Sequence, residues 1–239
     1  MQLRTGPVLW QIRAMELSAM GRHRQAVEDY QRLLQWEPDN FLAHVNLMVL
    51  FGQLGEDRRA RAAYGRARQL NPAHGGLYHA WGMFLAQRKH YSEARTALEE
   101  SARLNPSSAE VLALLGETLE AIGKPDEAKV RYEQALAVRA GYRPARYNLG
   151  RLLLRMRRYG ESAAHLQRLL EPEDRDTPVV MYDLATAYWE MGDRERAHHF
   201  WKEALPRSVA RGPDDLPHRI SRRLKVLEST RPAAQSGSK

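Results

Sequence analysis

Tyr147, Arg151 and Arg155 follow one another at intervals of four residues. A helix carrying them would set all three on one face. A guanidinium can grip a carboxylate through two parallel hydrogen bonds, and a tyrosine ring adds flat contact area at little entropic cost. The chemistry these residues suit is capture of an acidic protein segment or of a polypeptide's C-terminus. Bond-making chemistry finds little support. The sequence has no cysteine, which excludes disulfides, thiolate metal sites and a cysteine nucleophile. It contains no G-x-G-x-x-G, no phosphate-cradling glycine loop, no G-x-S-x-G and no H-E-x-x-H. His198 and His199 are adjacent, so on a helix they point about 100° apart and cannot share one ion from that face. Glu99-Glu100 and Asp214-Asp215 read as solvated pairs at exposed faces or helix ends. The expectation is a protein with no catalytic residues, no metal site and no cofactor.

Composition narrows the class further. The net charge is +8, and among 37 basic residues lysine is sparse, occurring only at 89, 124, 129, 202, 225 and 239. The positive excess lies mostly beyond residue 142, which attracts acidic partners without deciding the fold. RNA binding through this arginine-rich half is a weaker reading, because the basic positions lack regularly interleaved aromatics. No apolar run approaches the roughly 18 residues of a membrane span. The opening MQLRTGPVLWQIRAMELS has no continuous apolar core of the signal-peptide kind. A cytoplasmic location is therefore expected, and the pattern assigns no oligomeric state.

The elements that must position these residues follow a period of 34. Ala26, Ala60, Ala94 and Ala128 are spaced by it, as are Pro38, Pro72 and Pro106. A fixed period of this length marks a stacked repeat array. Two helices fit each period, giving repeats at 7–40, 41–74, 75–108, 109–142, 143–177 and 178–211, the fifth one residue longer. Gly21, Gly55, Gly123 and Gly192 recur where first helices end, a position that favours the left-handed conformation. Lys89 and Arg157 hold that place in repeats three and five, so those turns are expected to close differently. Ser107 with Glu110 has capping-box spacing, and Thr177 before Pro178 reads as a cap with a first-turn proline. Leu47, Trp81, Leu115, Leu149 and Leu184 share one position and read as core. The next position, Met48, Gly82, Gly116, Gly150 and Ala185, is mostly small, which lets helices approach closely. The alanines at 26, 60, 94, 128 and 197 face it, and Ser162 departs from that pattern. Leu216, Ile220, Leu224 and Leu227 form one amphipathic face, expected to cap the array as a helix over 214–229. A disordered tail is expected over 230–239.

This pattern resembles the tetratricopeptide repeat (TPR) family over residues 7–211. YNLG at 147–150, AKVRYEQAL at 128–136 and DLATAYWEMGDRERA at 183–197 sit close to the family pattern. The resemblance implies an all-α fold, a right-handed α-solenoid of stacked antiparallel helix pairs. It also implies a concave face lined by first helices that binds a peptide or protein segment. Carried over position by position, the partner-binding residues are Asn46, His79, Met83, Tyr147, Asn148, Arg151, Arg155, Tyr182 and Trp189. Met15, Val45, Val49 and Met83 would make the N-terminal half of that face apolar. Glu117 and Glu190 occupy the positions equivalent to Arg151 and Arg155 in neighbouring repeats, so a self-neutralised arginine pair stands beside the partner-binding reading. The carboxylate clamp that some members use for chaperone C-termini is not formed, since Gln11 and Met15 precede Asn46 and Gly76 and Ala80 follow it. An asparagine ladder is likewise broken by Ile12, Ala80 and Leu114.

The function expected is that of a non-catalytic adaptor or scaffold holding a protein segment in this groove. The alternative is a regulatory or substrate-presenting module of a larger enzyme.

Overall fold

The computed structural model describes residues 5–229. The expected disordered tail at 230–239 lies outside them. Among the described residues there are thirteen helices and no strand. The first helices of successive pairs are α1 (Thr5–Ala19), α3 (Phe41–Gln53), α5 (Gly75–Gln87), α7 (Ala109–Ala121), α9 (Arg143–Arg155) and α11 (Thr177–Glu190). Their partners are α2 (His23–Trp36), α4 (Asp57–Leu70), α6 (Tyr91–Leu104), α8 (Pro125–Val138), α10 (Tyr159–Gln167) and α12 (Arg194–Arg211), followed by α13 (Leu216–Ser229). The result is an all-α repeat fold. The protein divides into two compact units at residues 124 and 125.

In the first unit, Tyr30, Leu33, Met48, Leu50, Leu77, Trp81, Leu85 and the alanines at 26, 60 and 94 form one buried cluster. In the second, Leu166, Leu184, Tyr188, Trp201 and Ala204 form another, joined by Leu216, Ile220 and Leu227 of α13. The small position does what its size suggests. A Cβ on Gly82 would stand 2.6 Å from Leu98 Cγ, and one on Gly150 would stand 2.8 Å from Leu166 Cδ2. Ser162, the exception among the alanines, is fully buried and donates a 2.7 Å hydrogen bond to the carbonyl of Gly150. A buried hydroxyl needs such a partner.

The turns correct the sequence reading. Lys89 and Arg157 have φ of 61° and 60°, close to the 73° to 84° of Gly21, Gly55, Gly123 and Gly192. All six first helices therefore close alike. The amide of Lys89 donates to the carbonyl of Ala86 and that of His90 to Leu85, and Arg157 and Arg158 repeat this on Leu154 and Leu153. The same pair of bonds follows Gly21, Gly55, Gly123 and Gly192. Satisfying the last carbonyls of the helix outweighs the strain of a left-handed lysine or arginine. Ser108, not Ser107, caps α7, its hydroxyl accepting from the amide of Val111 at 3.3 Å. Thr177 is buried in the first turn of α11, where its hydroxyl accepts from the amide of Asp174 at 2.8 Å. The longer fifth repeat resolves into a short α10 and a connection over 168–176. That connection is tied down by an Arg143–Asp174 ion pair of 2.6 Å and an Arg207–Glu173 pair of 3.2 Å.

Candidate functional site

In the first unit, one position of the first helices stays apolar yet open to solvent. Met15 on α1 is 55% exposed, Val49 on α3 39% and Met83 on α5 41%. Their backbones lie on well-packed helices, because Ala14, Met48 and Gly82 beside them are buried. Burial on one side thus holds each apolar side chain out on the other. Between α5 and α7, Met83, Ala86, Tyr91, Leu114, Glu117 and Thr118 line a cavity of about 340 Å³. Thr118 donates to the carbonyl of Leu114 at 2.8 Å, so its hydroxyl is already satisfied. The cavity is accordingly an apolar socket with a carboxylate at its rim. Asn46 and His79 are half-buried on the same helices. Burial pushes the His79 imidazole below its ordinary value against the pull of Glu110, favouring the neutral ring.

In the second unit, the predicted trio is only partly open. Tyr147 is half-buried, and its hydroxyl donates to Asp183 Oδ2 on α11 at 3.0 Å. Arg151 leans toward the same oxygen, with Nε at 3.8 Å, and stands 5.6 Å over the Tyr147 ring. Asp183 is the centre of this group. Burial pushes its carboxyl above the ordinary range, while Tyr147, Arg151 and Arg219 oppose that shift. The Tyr147 phenol is raised in turn by its own burial and by the neighbouring carboxylate. Asp183 is the acid shared by Tyr147 and Arg151, a role that sequence reasoning missed. The signal was present as an acid at the position held by Asn46 and Asn148 in other repeats.

The remaining expected residues fall into two groups. Arg151 and Arg155 are exposed on α9, the former half so, with Asn148 half-buried beside them. Tyr182 is a correction, at only 8% exposed. It belongs to the buried cluster, and the guanidinium of Arg219 on α13 lies 4.5 Å over its ring. The helix after the last repeat covers it, an effect that a position-by-position transfer from an internal repeat does not anticipate. Trp189 is half-buried, with Arg194 at 3.4 Å over its ring and Trp201 5.7 Å away. The residues that sequence reasoning did not single out as partner-binding are those of the socket, Leu114, Thr118 and Tyr91.

No helix among the described residues is long and apolar enough to cross a membrane. Tetratricopeptide repeat models match residues 8–40, 79–129, 121–180 and 179–210. The sequence is 24% identical over 192 residues to the TPR repeat-containing protein YpiA of Bacillus subtilis, covering 80% of this protein and 45% of that one. It is 27% identical over 141 residues to the type IV pilus assembly protein PilF of Pseudomonas aeruginosa, covering 58% and 56%. The match thus spans about half the length of these curated relatives. A solved structure of P. aeruginosa PilF superposes with a TM-score of 0.74 at 18% identity, covering 92% of this protein and 98% of that one. YrrB, described as a TPR protein with an unusual peptide-binding site, superposes with a TM-score of 0.68 at 19% identity, covering 82% and 99%. At these identities the superpositions speak to the fold alone. With its period, its six like turns and these matches, the protein belongs to the tetratricopeptide repeat family, whose members generally mediate protein–protein interaction.

Proposed function

We propose that this protein is a non-catalytic adaptor that seats an apolar side chain of a partner segment in the socket between α5 and α7. The observation that carries this reading is the cavity beside Met83, continued along the first helices by exposed Val49 and Met15. Apolar side chains held open at one repeated position are a feature of interaction surfaces more than of a solvated face. Hydrophobic contacts supply affinity there, and polar groups such as Asn46 and Glu117 set register. The Tyr147–Arg151–Asp183 group has a smaller part in this reading than the sequence suggested. Asp183 already draws on both partners, so capture of an external carboxylate by Arg151 competes with an internal one.

A photo-crosslinking amino acid at Gln87, which lines the socket, tests the reading, with the exposed Arg58 of α4 as control position. The expected result in cells of the source organism is a discrete adduct from position 87 and none from 58. Met83→Asp should remove that adduct. Equal labelling from both positions would sink the groove reading. PilF is matched both in sequence and in fold, which favours a second, narrower reading, service in assembly of a surface appendage. An adduct identified by mass spectrometry as an appendage-assembly component would support it, and one from an unrelated process would reject it.

A further inference from the structure

Gly65 sits in the middle of α4, where glycine weakens a helix relative to alanine. Unlike Gly82 and Gly150, it is not needed for packing, since a Cβ there would meet no heavy atom within 4 Å. Gln31 and Glu99 hold the equivalent place one repeat before and after. The space that Gly65 leaves opens onto a cavity of about 900 Å³ between α4 and α6. That volume is within the range of about 300–1,000 Å³ typical of ligand sites. Its aromatic wall is built, not incidental. Tyr64 stacks on Trp81 with centroids 4.3 Å apart and planes within 10°, and Tyr78 meets Tyr64 edge-on at 6.4 Å. The hydroxyl of Tyr78 is fixed by donating to the carbonyl of Pro72 at 2.9 Å.

The charges around this cavity cancel in pairs, with one exception. Arg61 bridges the two helices to Glu93 at 2.9 Å. Arg103 is held by Glu100 at 2.6 and 2.8 Å, and Glu99 by Arg95 at 2.7 Å. Arg68 stands 5.7 Å over the Tyr64 ring and makes no ion pair among the described residues. The cavity therefore offers a flat aromatic wall, a notch at Gly65 and one cation without a carboxylate. The complementary ligand pairs a flat apolar ring with a negative charge.

We infer that this cleft is a second binding site, for a peptide segment in which an aromatic side chain stands next to a carboxylate. The ring enters over Gly65 against Tyr64 and Tyr78, and the carboxylate meets Arg68. The site is walled by the second helices α4 and α6 with Tyr78 and Trp81 of α5 between them, whereas the socket of the proposed adaptor function lies between α5 and α7. One unit can then hold two segments, and neither site depends on the other.

The test is a titration with N-acetyl-phenylalanyl-aspartyl amide, read by the indole N–H resonance of Trp81. The asparaginyl analogue serves as the uncharged probe. Saturable shifts with a Kd of about 1 mM are expected for the acidic probe, the strength reasonable for two side chains. Arg68→Gln should weaken it about tenfold, the worth of one charge-assisted hydrogen bond, to the level of the asparaginyl probe. Gly65→Leu should abolish binding, with helicity retained because leucine is the better helix former. Gly65→Gln copies the residue of the preceding repeat and provides a second filled notch. Met83→Asp should leave the titration unchanged. Absence of saturable shifts in the wild type, binding that survives both Gly65 variants, or equal affinity for the two probes would overturn the inference.

Discussion

Two buried aspartates show how far the surroundings of a single carboxylate can reverse its effect. Asp29 on α2 is nearly inaccessible and accepts hydrogen bonds from Arg13 and Arg32. The Arg13 hydrogen bond, aided by its charge and by Arg32, holds the Asp29 carboxyl below its ordinary value. For Asp183 burial outweighs Tyr147, Arg151 and Arg219, and the carboxyl stands above its ordinary value. Linkage then gives opposite signs. The stabilisation from Asp29 is complete above the unfolded value of about 3.9 and is lost as pH falls through its lower folded value. Asp183 is most favourable below about 3.9, while still neutral in both states, and its contribution declines as pH rises through its raised folded value. Urea midpoints measured from acid to neutral pH, for wild type against Asp29→Asn and Asp183→Asn, check this. The wild type should gain on the first variant with rising pH and lose ground to the second. Differences of the same sign would refute the assignment. The sequence could not have shown the contrast, since it does not say which buried acid meets guanidinium donors: Arg13 and Arg32 both bond Asp29, whereas Asp183 has a phenol donor and Arg151 only at 3.8 Å.

At the scale of the element, the repeat was legible wherever a residue type is tied to a backbone demand, and illegible where the fold overrides the residue. Glycine marked four of the six turns, and Gly82 and Gly150 stand where a Cβ would strike a leucine. The lysine and arginine at 89 and 157 misled, because hydrogen bonds and packing set the turn and the residue follows. A left-handed conformation costs a residue with a Cβ roughly 1–2 kcal/mol, partly offset by the greater unfolded freedom of glycine. Lys89→Gly and Arg157→Gly should therefore each stabilise by about 0.5–1 kcal/mol, seen as a raised urea midpoint at constant slope. Unchanged or lower midpoints would mean that the two side chains make contacts of their own. Gly82→Val makes the converse case in α5. Overpacking against Leu98 should cost about 1–3 kcal/mol, whereas the same change at Gly65, beside open space, should cost little. Among the candidate site residues, the exposure of Met83 was legible from its repeated position. The socket around it was not, because Tyr91 and Leu114 reach it from two other helices.

At the scale of the whole molecule, a repeat array has no natural end, and each terminal repeat leaves an apolar face that needs cover. In the second unit we propose α13 as that cover; its Leu216, Ile220 and Leu227, spaced for one helical face, are buried, and it packs on α12. Leu216 and Ile220 are buried with Trp201, and Arg219 closes over Tyr182. The same helix that removes Tyr182 from any partner surface is thus proposed to hold the last repeat together. Three consequences separate a cap from an incidental appendage. Ile220→Ala should cost about 2–5 kcal/mol, the range for emptying a filled core position. Removal of residues 214–239 should expose Tyr182 and Trp201, raise tryptophan accessibility to acrylamide and promote self-association in sedimentation. Exposed Arg222→Ala, on the same helix, should change stability by no more than about 0.5 kcal/mol. A truncated protein that stays monomeric, with Trp201 still protected and an unshifted urea midpoint, would show that the last repeat needs no cover from α13.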